Sequence, residues 1–385
     1  MKLRVFAVMV AATLFSGCQT VSNTYDSWFG AVPKQKPAAL VEFKAQATLR
    51  TVWQASVGAA GRGAFYPAVV GNTVYATGAS GQIAGFVANS GASQTRFDAA
   101  TPLSGGVGAG VGLLLAGTAR GEVLAFEPSG KSVWKTQLTG EVLSPPVAAD
   151  GVVVVRTGDG RIYGLNAADG KQRWVYQRAL PPLALRSYAG IVVYRGAVFA
   201  GFPGGRLVAI ALETGNVGWE AVVALPKGTT ELERVTDVSS YPVVDGSQVC
   251  AVAFQGRVAC FDVTRGETLW TRDASSIAGM ALDARNAYIT DERSAVQALD
   301  RSRGASVWKQ DKLNGRWASA PLAMGRYVIV GDFQGYVHVL SREDGAFVAR
   351  IATDGSSIQV APVALDLATF LVQTRNGGVF AISVQ

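Results

Sequence analysis

The sequence predicts an all-β protein, an eight-bladed β-propeller of four-stranded antiparallel blades whose last blade is closed by the N-terminal strand. Three observations predict it. A strand motif, a glycine followed by an apolar run, starts at Gly81, Gly121, Gly160, Gly205, Gly256, Ser294 (its one serine), Gly335 and Gly377, at spacings of 40, 39, 45, 51, 38, 41 and 42 residues. A second motif, Gly-x-x-x-Trp, joins Gly130 to Trp134, Gly170 to Trp174, Gly215 to Trp219, Gly266 to Trp270 and Gly304 to Trp308, with degenerate copies at Gly91 and Gly345. The chain ends are complementary: residues 51–57 read as an outer strand without its hairpin, and 360–365, 370–374 and 379–384 as three strands with nothing after them. Pairing the two fragments closes a ring and removes exposed sheet edges.

The unit is clearest at residues 151–176, GVVVVRTGDGRIYGLNAADGKQRWVY. A strand at 152–157, a Gly-Asp-Gly turn, a strand at 161–166, an Ala-Asp-Gly turn and a third strand around Trp174 follow one another. Turns rich in Asp and Gly supply the backbone conformations of tight hairpins. Val152 to Val155 are apolar at four successive positions, so both faces of that strand are buried. A sheet buried on both faces needs a neighbour on each side. The innermost strands are expected near Tyr66, Leu103, Ser144, Ser187, Ser240, Ile277, Ala318 and Gln359.

Composition agrees. Glycine supplies 45 of 385 residues, well above the roughly 7% of ordinary proteins. The net charge is +7, or +5 once Lys2 and Arg4 leave with the leader. There is no basic run, which argues against nucleic acid as a partner.

Residues 1–17 read as a signal peptide: Lys2 and Arg4, an apolar core at 5–15, then Ser16 and Gly17. Cys18 stands directly after, and Leu14-Phe15-Ser16-Gly17-Cys18 resembles a bacterial lipobox, in which the cysteine is acylated and becomes the mature N-terminus. Gln19 follows; by resemblance to bacterial sorting rules, a residue other than Asp there directs the lipoprotein to the outer membrane. Residues 18–50, the lipidated cysteine and a stretch with Pro33 and Pro37, read as a tether, with Trp28-Phe29 available to the domain or to lipid. The propeller is assigned to 51–385.

Two connections are longer than the rest. Trp174 to Trp219 spans 45 residues and Trp219 to Trp270 spans 51, with the extra length at 177–190 and 224–239. Both join the outer strand of one blade to the inner strand of the next, so both emerge on one face, side by side. The first carries Leu180, Leu183 and Leu185 beside Arg178 and Arg186. Apolar residues on a loop fringed by charge suit a partner surface.

Catalytic signals are weak. His338 is the only histidine and lies mid-strand in GYVHVL, where a hydrogen-bonded core residue is expected. The run GGVGAGVG at 105–112 lacks G-x-G-x-x-G and fits a crowded inner strand. Asp237, Asp245, Asp283 and Asp291 sit in turn-like surroundings and form no defended acid/base pair. Cys250 and Cys260 flank one hairpin and are compatible both with a cross-strand disulfide and with two reduced core cysteines. No cofactor or metal site is expected.

Two resemblances follow. The blade unit LNAADGKQRW at 165–174 resembles the repeat of pyrroloquinoline-quinone (PQQ) dehydrogenases. The order of segments across the mature chain resembles more specifically the BamB family, lipoproteins of the outer-membrane β-barrel assembly machinery. The segments are LTGEVLSPPVAADG at 138–151, LPPLALR at 180–186, TELERVTDVSSYPVVDG at 230–246 and VIVGDFQGYVHVLSREDGAFVAR at 328–350. That resemblance implies a non-catalytic scaffold on the inner leaflet of the outer membrane. It would bind the periplasmic POTRA domains of BamA and assist insertion of outer-membrane proteins, with unfolded clients as further partners. The family's BamA-contacting motif falls on Leu183, Leu185, Arg186 and Asp237, and a second acidic position of that motif is Ser239 here. The PQQ resemblance implies the alternative, a periplasmic oxidoreductase. Such enzymes usually present adjacent cysteines and a Ca²⁺ site, and this sequence has no adjacent cysteines.

Overall fold

The computed structural model of the chain describes residues 36–61 and 63–385. The leader, Cys18 and the Trp28-Phe29 pair lie outside the described residues.

Among the described residues there are thirty-two strands in eight four-stranded antiparallel sheets, and no helix. In chain order, blades 1 to 7 occupy residues 68–98, 108–137, 147–177, 191–222, 243–273, 279–310 and 322–352. Blade 8 combines Val363–Ala364, Thr369–Gln373 and Gly378–Val384 with Leu49–Ser56 as its outer strand. The closing pair runs antiparallel from Leu49 opposite Val384 to Ser56 opposite Gly378.

Burial follows the strand's place in the blade. In blade 3, Val152–Arg156 and Arg161–Asn166 are buried through their middles, whereas in Gln172–Gln177 the one buried residue is Trp174. The apolar runs fill the spaces between blades. Val152, Val154 and Ile162 of blade 3 pack on Val198, Ala200, Phe202, Val208 and Ile210 of blade 4. Each such wedge is a small core, and no blade buries both its faces without neighbours.

The Gly-x-x-x-Trp motif proves to be an inter-blade staple. Trp174 Nε1 donates to the carbonyl of Leu212 in the following blade at 2.9 Å. Gly215 of that blade lies against the same indole, where an added Cβ would come within 2.7 Å of the ring, and its φ of 74° also favours glycine. Trp53, Trp134, Trp219, Trp270 and Trp308 repeat the indole-to-carbonyl bond at 2.7–3.1 Å.

The inner strands start two to five residues later than expected: Ala68, Gly108, Val147, Ile191, Val243, Gly279, Leu322 and Val363 are their first residues. The positions expected from sequence lie instead in the lead-in to each strand. Tyr66 and Tyr241, from the lead-ins to blades 1 and 5, meet across the ring with centroids 5.4 Å apart. Burial pushes the Tyr66 hydroxyl up to about 12 and the Tyr241 hydroxyl well above its ordinary value.

Residues 38–48, placed in the tether by sequence, pack on blade 7. Arg316 donates to the Ala38 carbonyl at 2.9 Å and Arg350 to that of Val41 at 3.0 Å, while Phe43 stacks on Phe347 at 5.7 Å. Beneath lies His338, fully buried, with Nε2 2.9 Å from Asp332 and Nδ1 accepting from Arg350 at 3.2 Å. It is the satisfied core histidine that its sequence position suggests. Cys250 and Cys260 stand opposite one another on neighbouring strands and form a disulfide, which decides between the two alternatives left open by sequence.

Candidate functional site

In each blade the strand directions alternate. The links from outer to inner strand and the second hairpin therefore share one face, here called the link face. Both long connections lie on it, between Gln177 and Ile191 and between Val222 and Val243.

Asp237 ties them together. Its carboxylate accepts the Leu185 N–H at 2.6 Å and the Gly204 N–H at 3.1 Å, and its backbone pairs with Pro203. One side chain of the second link thus fixes the backbone of the first link and the nearby hairpin of blade 4. Asp237 is 2% exposed, and its carboxylate is engaged within the loop pair. Ser239, at the motif's second acidic position, is buried as well.

The other three residues reach the surface to different degrees. Leu183 is 47% exposed and Leu185, held by its own backbone bond, is half-buried. Arg186 is exposed but engaged: Nε and Nη2 each donate to Glu141 at 3.0 Å, in a bidentate pair. Its guanidinium also lies 5.9 Å from the Tyr188 ring. The hydrogen bonds to Glu141 raise the Arg186 pKa. Glu141 belongs to the link between blades 2 and 3, so a third connection joins the patch. A surface pair of this kind is worth about 0.2–1 kcal/mol, which a competing carboxylate can match.

The second link has its own apex, which sequence reasoning missed. Thr230 and Glu233 form a reciprocal cap: Glu233 N–H donates to Thr230 Oγ1 at 3.2 Å, and the Glu233 carboxylate accepts the Thr230 N–H at 3.1 Å. Those backbone bonds, with that from Thr229, hold the Glu233 carboxyl down at about 2. The turn presents Leu232, 71% exposed. The signal was in the sequence as Thr-x-x-Glu at 230–233. Leu183 and Leu232 are therefore exposed leucines on adjacent, mutually braced links.

Nothing comparable points to redox chemistry. Among the described residues no group of three His, Cys, Asp or Glu side chains could hold a metal ion. The disulfide joins residues ten positions apart, not adjacent cysteines, and the axis is crossed by Tyr66 and Tyr241. The residues present do not fit a quinone–calcium site.

The fold is that of a β-propeller whose link face carries exposed leucines on two loops braced by Asp237. The family model described as "Outer membrane protein assembly factor BamB" matches residues 79–310. The BamB of Nitrosomonas eutropha is 46% identical over 349 residues, covering 90% of this chain and 85% of that protein. That of Escherichia coli K12 is 33% identical over 390 residues, covering 97% of each. The crystal structure of BamB from Moraxella catarrhalis superposes with a TM-score of 0.80 at 25% identity, covering 87% of this chain and all of that one. The chain belongs to the BamB family of outer membrane protein assembly factors. Quinohemoprotein alcohol dehydrogenase from Comamonas testosteroni shares the fold, with a TM-score of 0.71 at 12% identity over 87% of this chain and 76% of that one. The names of the sequence relatives describe an assembly factor rather than an enzyme.

Proposed function

We propose that the protein is a non-catalytic lipoprotein scaffold of the outer-membrane β-barrel assembly complex. Cys18 is acylated and anchors it in the inner leaflet of the outer membrane, with the propeller in the periplasm. The link face binds the POTRA domains of BamA and so assists folding and insertion of outer-membrane proteins. Leu183 and Leu185 supply the apolar contact, Arg186 the charged one, and Asp237 holds the loop in its binding shape. Arginine is enriched among the residues that anchor interfaces where surrounding contacts exclude water, and an exposed leucine adds apolar area that docking removes from water.

The observation that carries this reading is the Asp237 clamp on Leu185. It joins two loops from different repeats into one rigid surface, which lowers the ordering cost of binding. The test is intact-mass analysis of the protein extracted from the membrane fraction, together with identification of what co-purifies. The expected mass is that of residues 18–385 plus acyl chains, with BamA in the complex. Retention of residues 1–17 or an unmodified Cys18 would overturn the anchor, and a preparation without BamA would overturn the scaffold role.

A further inference from the structure

The second strand of every blade reaches the link face at an equivalent position, one pair before its hairpin. In ring order those residues are Thr77, Gly117, Arg156, Gly201, Val252, Thr290, Gly331 and Gln373. Seven are uncharged. Arg156 alone departs from the repeat, so the blade architecture does not require it.

Its surroundings do not neutralise it by contact. Nη1 is buried and has no hydrogen-bond partner among the described residues. The guanidinium lies 5.2 Å from the Phe202 ring, which a cation favours but which accepts no strong hydrogen bond. Asp237 and Tyr241 are near enough to favour the charged form, but both Asp237 oxygens already serve the Leu185 and Gly204 N–H groups. Burial pushes the Arg156 pKa down only to about 10, so the side chain is a cation at neutral pH. A buried donor without an acceptor is costly to a fold. Arg156 also lines a cavity of about 310 Å³ together with Ser144 and with Leu185 and Ser187 of the first long link. Arg186 and Glu141, already paired with each other, line it as well.

We propose that this cavity is a carboxylate-binding pocket with Arg156 at its base, taking an Asp, Glu or C-terminal carboxylate of the protein that docks on Leu183 and Arg186. An arginine fork suits a carboxylate because it donates two parallel N–H bonds. The serine hydroxyls of Ser144 and Ser187 supply further donors. This rests on the docking reading above and adds to it a second contact, deeper than the loop surface.

The test titrates the full-length lipoprotein in detergent with the periplasmic region of BamA, comparing wild type with R156Q, R156K and L183D. R156Q is expected to weaken binding about 10–100-fold, the worth of a hydrogen bond to a charged group, without lowering the melting temperature. R156K, which keeps the charge but loses the fork, should fall between. Acetate at tens of millimolar should compete in wild type and not in R156Q. If L183D abolishes binding while R156Q binds like wild type and acetate leaves the Arg156 side-chain resonance unmoved, the pocket is overturned and the docking surface stands. If R156Q binds BamA normally yet acetate, and not chloride, shifts the wild-type Arg156 side-chain resonance, the pocket takes only free small carboxylates and the partner assignment is overturned. If L183D itself has no effect, the docking reading has failed.

Discussion

Replacing Asp237 by Asn isolates the clamp that the site depends on. The carboxylate accepts two backbone N–H groups, from Leu185 at 2.6 Å and Gly204 at 3.1 Å. Asn keeps one acceptor oxygen, so one bond is lost and an NH₂ group is turned toward an N–H. A hydrogen bond to a charged group contributes about 1.5–3 kcal/mol, and the site is buried, so screening by water is slight. A local cost of about 2–3 kcal/mol corresponds to roughly 30–150-fold faster opening. The loss belongs to the loop and leaves the blades intact, because opening is local where backbone contacts are few. Amide hydrogen exchange reads it directly. The Leu185 and Gly204 amides should lose about that factor of protection in D237N, while the Val154 amide in the blade 3 core keeps its own. Equal exchange at Leu185 in both proteins would refute the clamp.

Other consequences are simpler. Glu141→Gln removes the charge and one of the two acceptor oxygens that hold Arg186 and should tighten BamA binding by up to about five-fold, given the modest worth of surface pairs; weaker binding would mean that Glu141 presents Arg186 rather than competing for it. Replacing Cys250 and Cys260 by Ala opens a short loop and should lower unfolding free energy by about 3 kcal/mol by chain entropy, measured as a shift in urea midpoint; an unchanged midpoint would contradict this. Burial pushes the His338 pKa down against the pull of Asp332, so the unfolded chain takes up this proton first as pH falls. Stability is therefore full above about 6.5, the unfolded value, and declines below it by at most about 1.4 kcal/mol per pH unit. Urea unfolding at pH 7 and pH 5 should show that difference shrink in His338→Gln, and an equal difference would exclude His338 as its source.

The fold was legible because propeller blades repeat their own grammar. Eight hairpin signals at a near-constant spacing, and two end fragments that complete one another, leave little freedom in topology. The Gly-x-x-x-Trp spacing was visible too, but its meaning was not, because Gly170 serves Trp134 of the blade before while Trp174 serves Gly215 of the blade after. A motif read along one repeat does not show that its contacts lie in the adjoining ones. The inner strands were misplaced for a related reason. Most of the residues before them are apolar or small, as a strand's are, but the ladder pairs begin two to five residues further on. Loop length identified the two links, and Asp237 was named with them, yet nothing local to Asp237 distinguishes a surface acid from a buried clamp. Glu141 and Arg156 escaped notice because their importance comes from Arg186 and Phe202, 45 residues away in each case or nearly so, across blade boundaries.

We propose that BamA docks on the link face through Leu183 and Arg186. Titration of the BamA POTRA domains with the wild-type lipoprotein and with a Leu183→Asp, Arg186→Glu double variant tests it most directly. The double variant should bind at least ten-fold more weakly, the effect of losing one hot-spot anchor of about 1.4 kcal/mol or more, with an unchanged melting temperature. Equal affinity for the two proteins would contradict it.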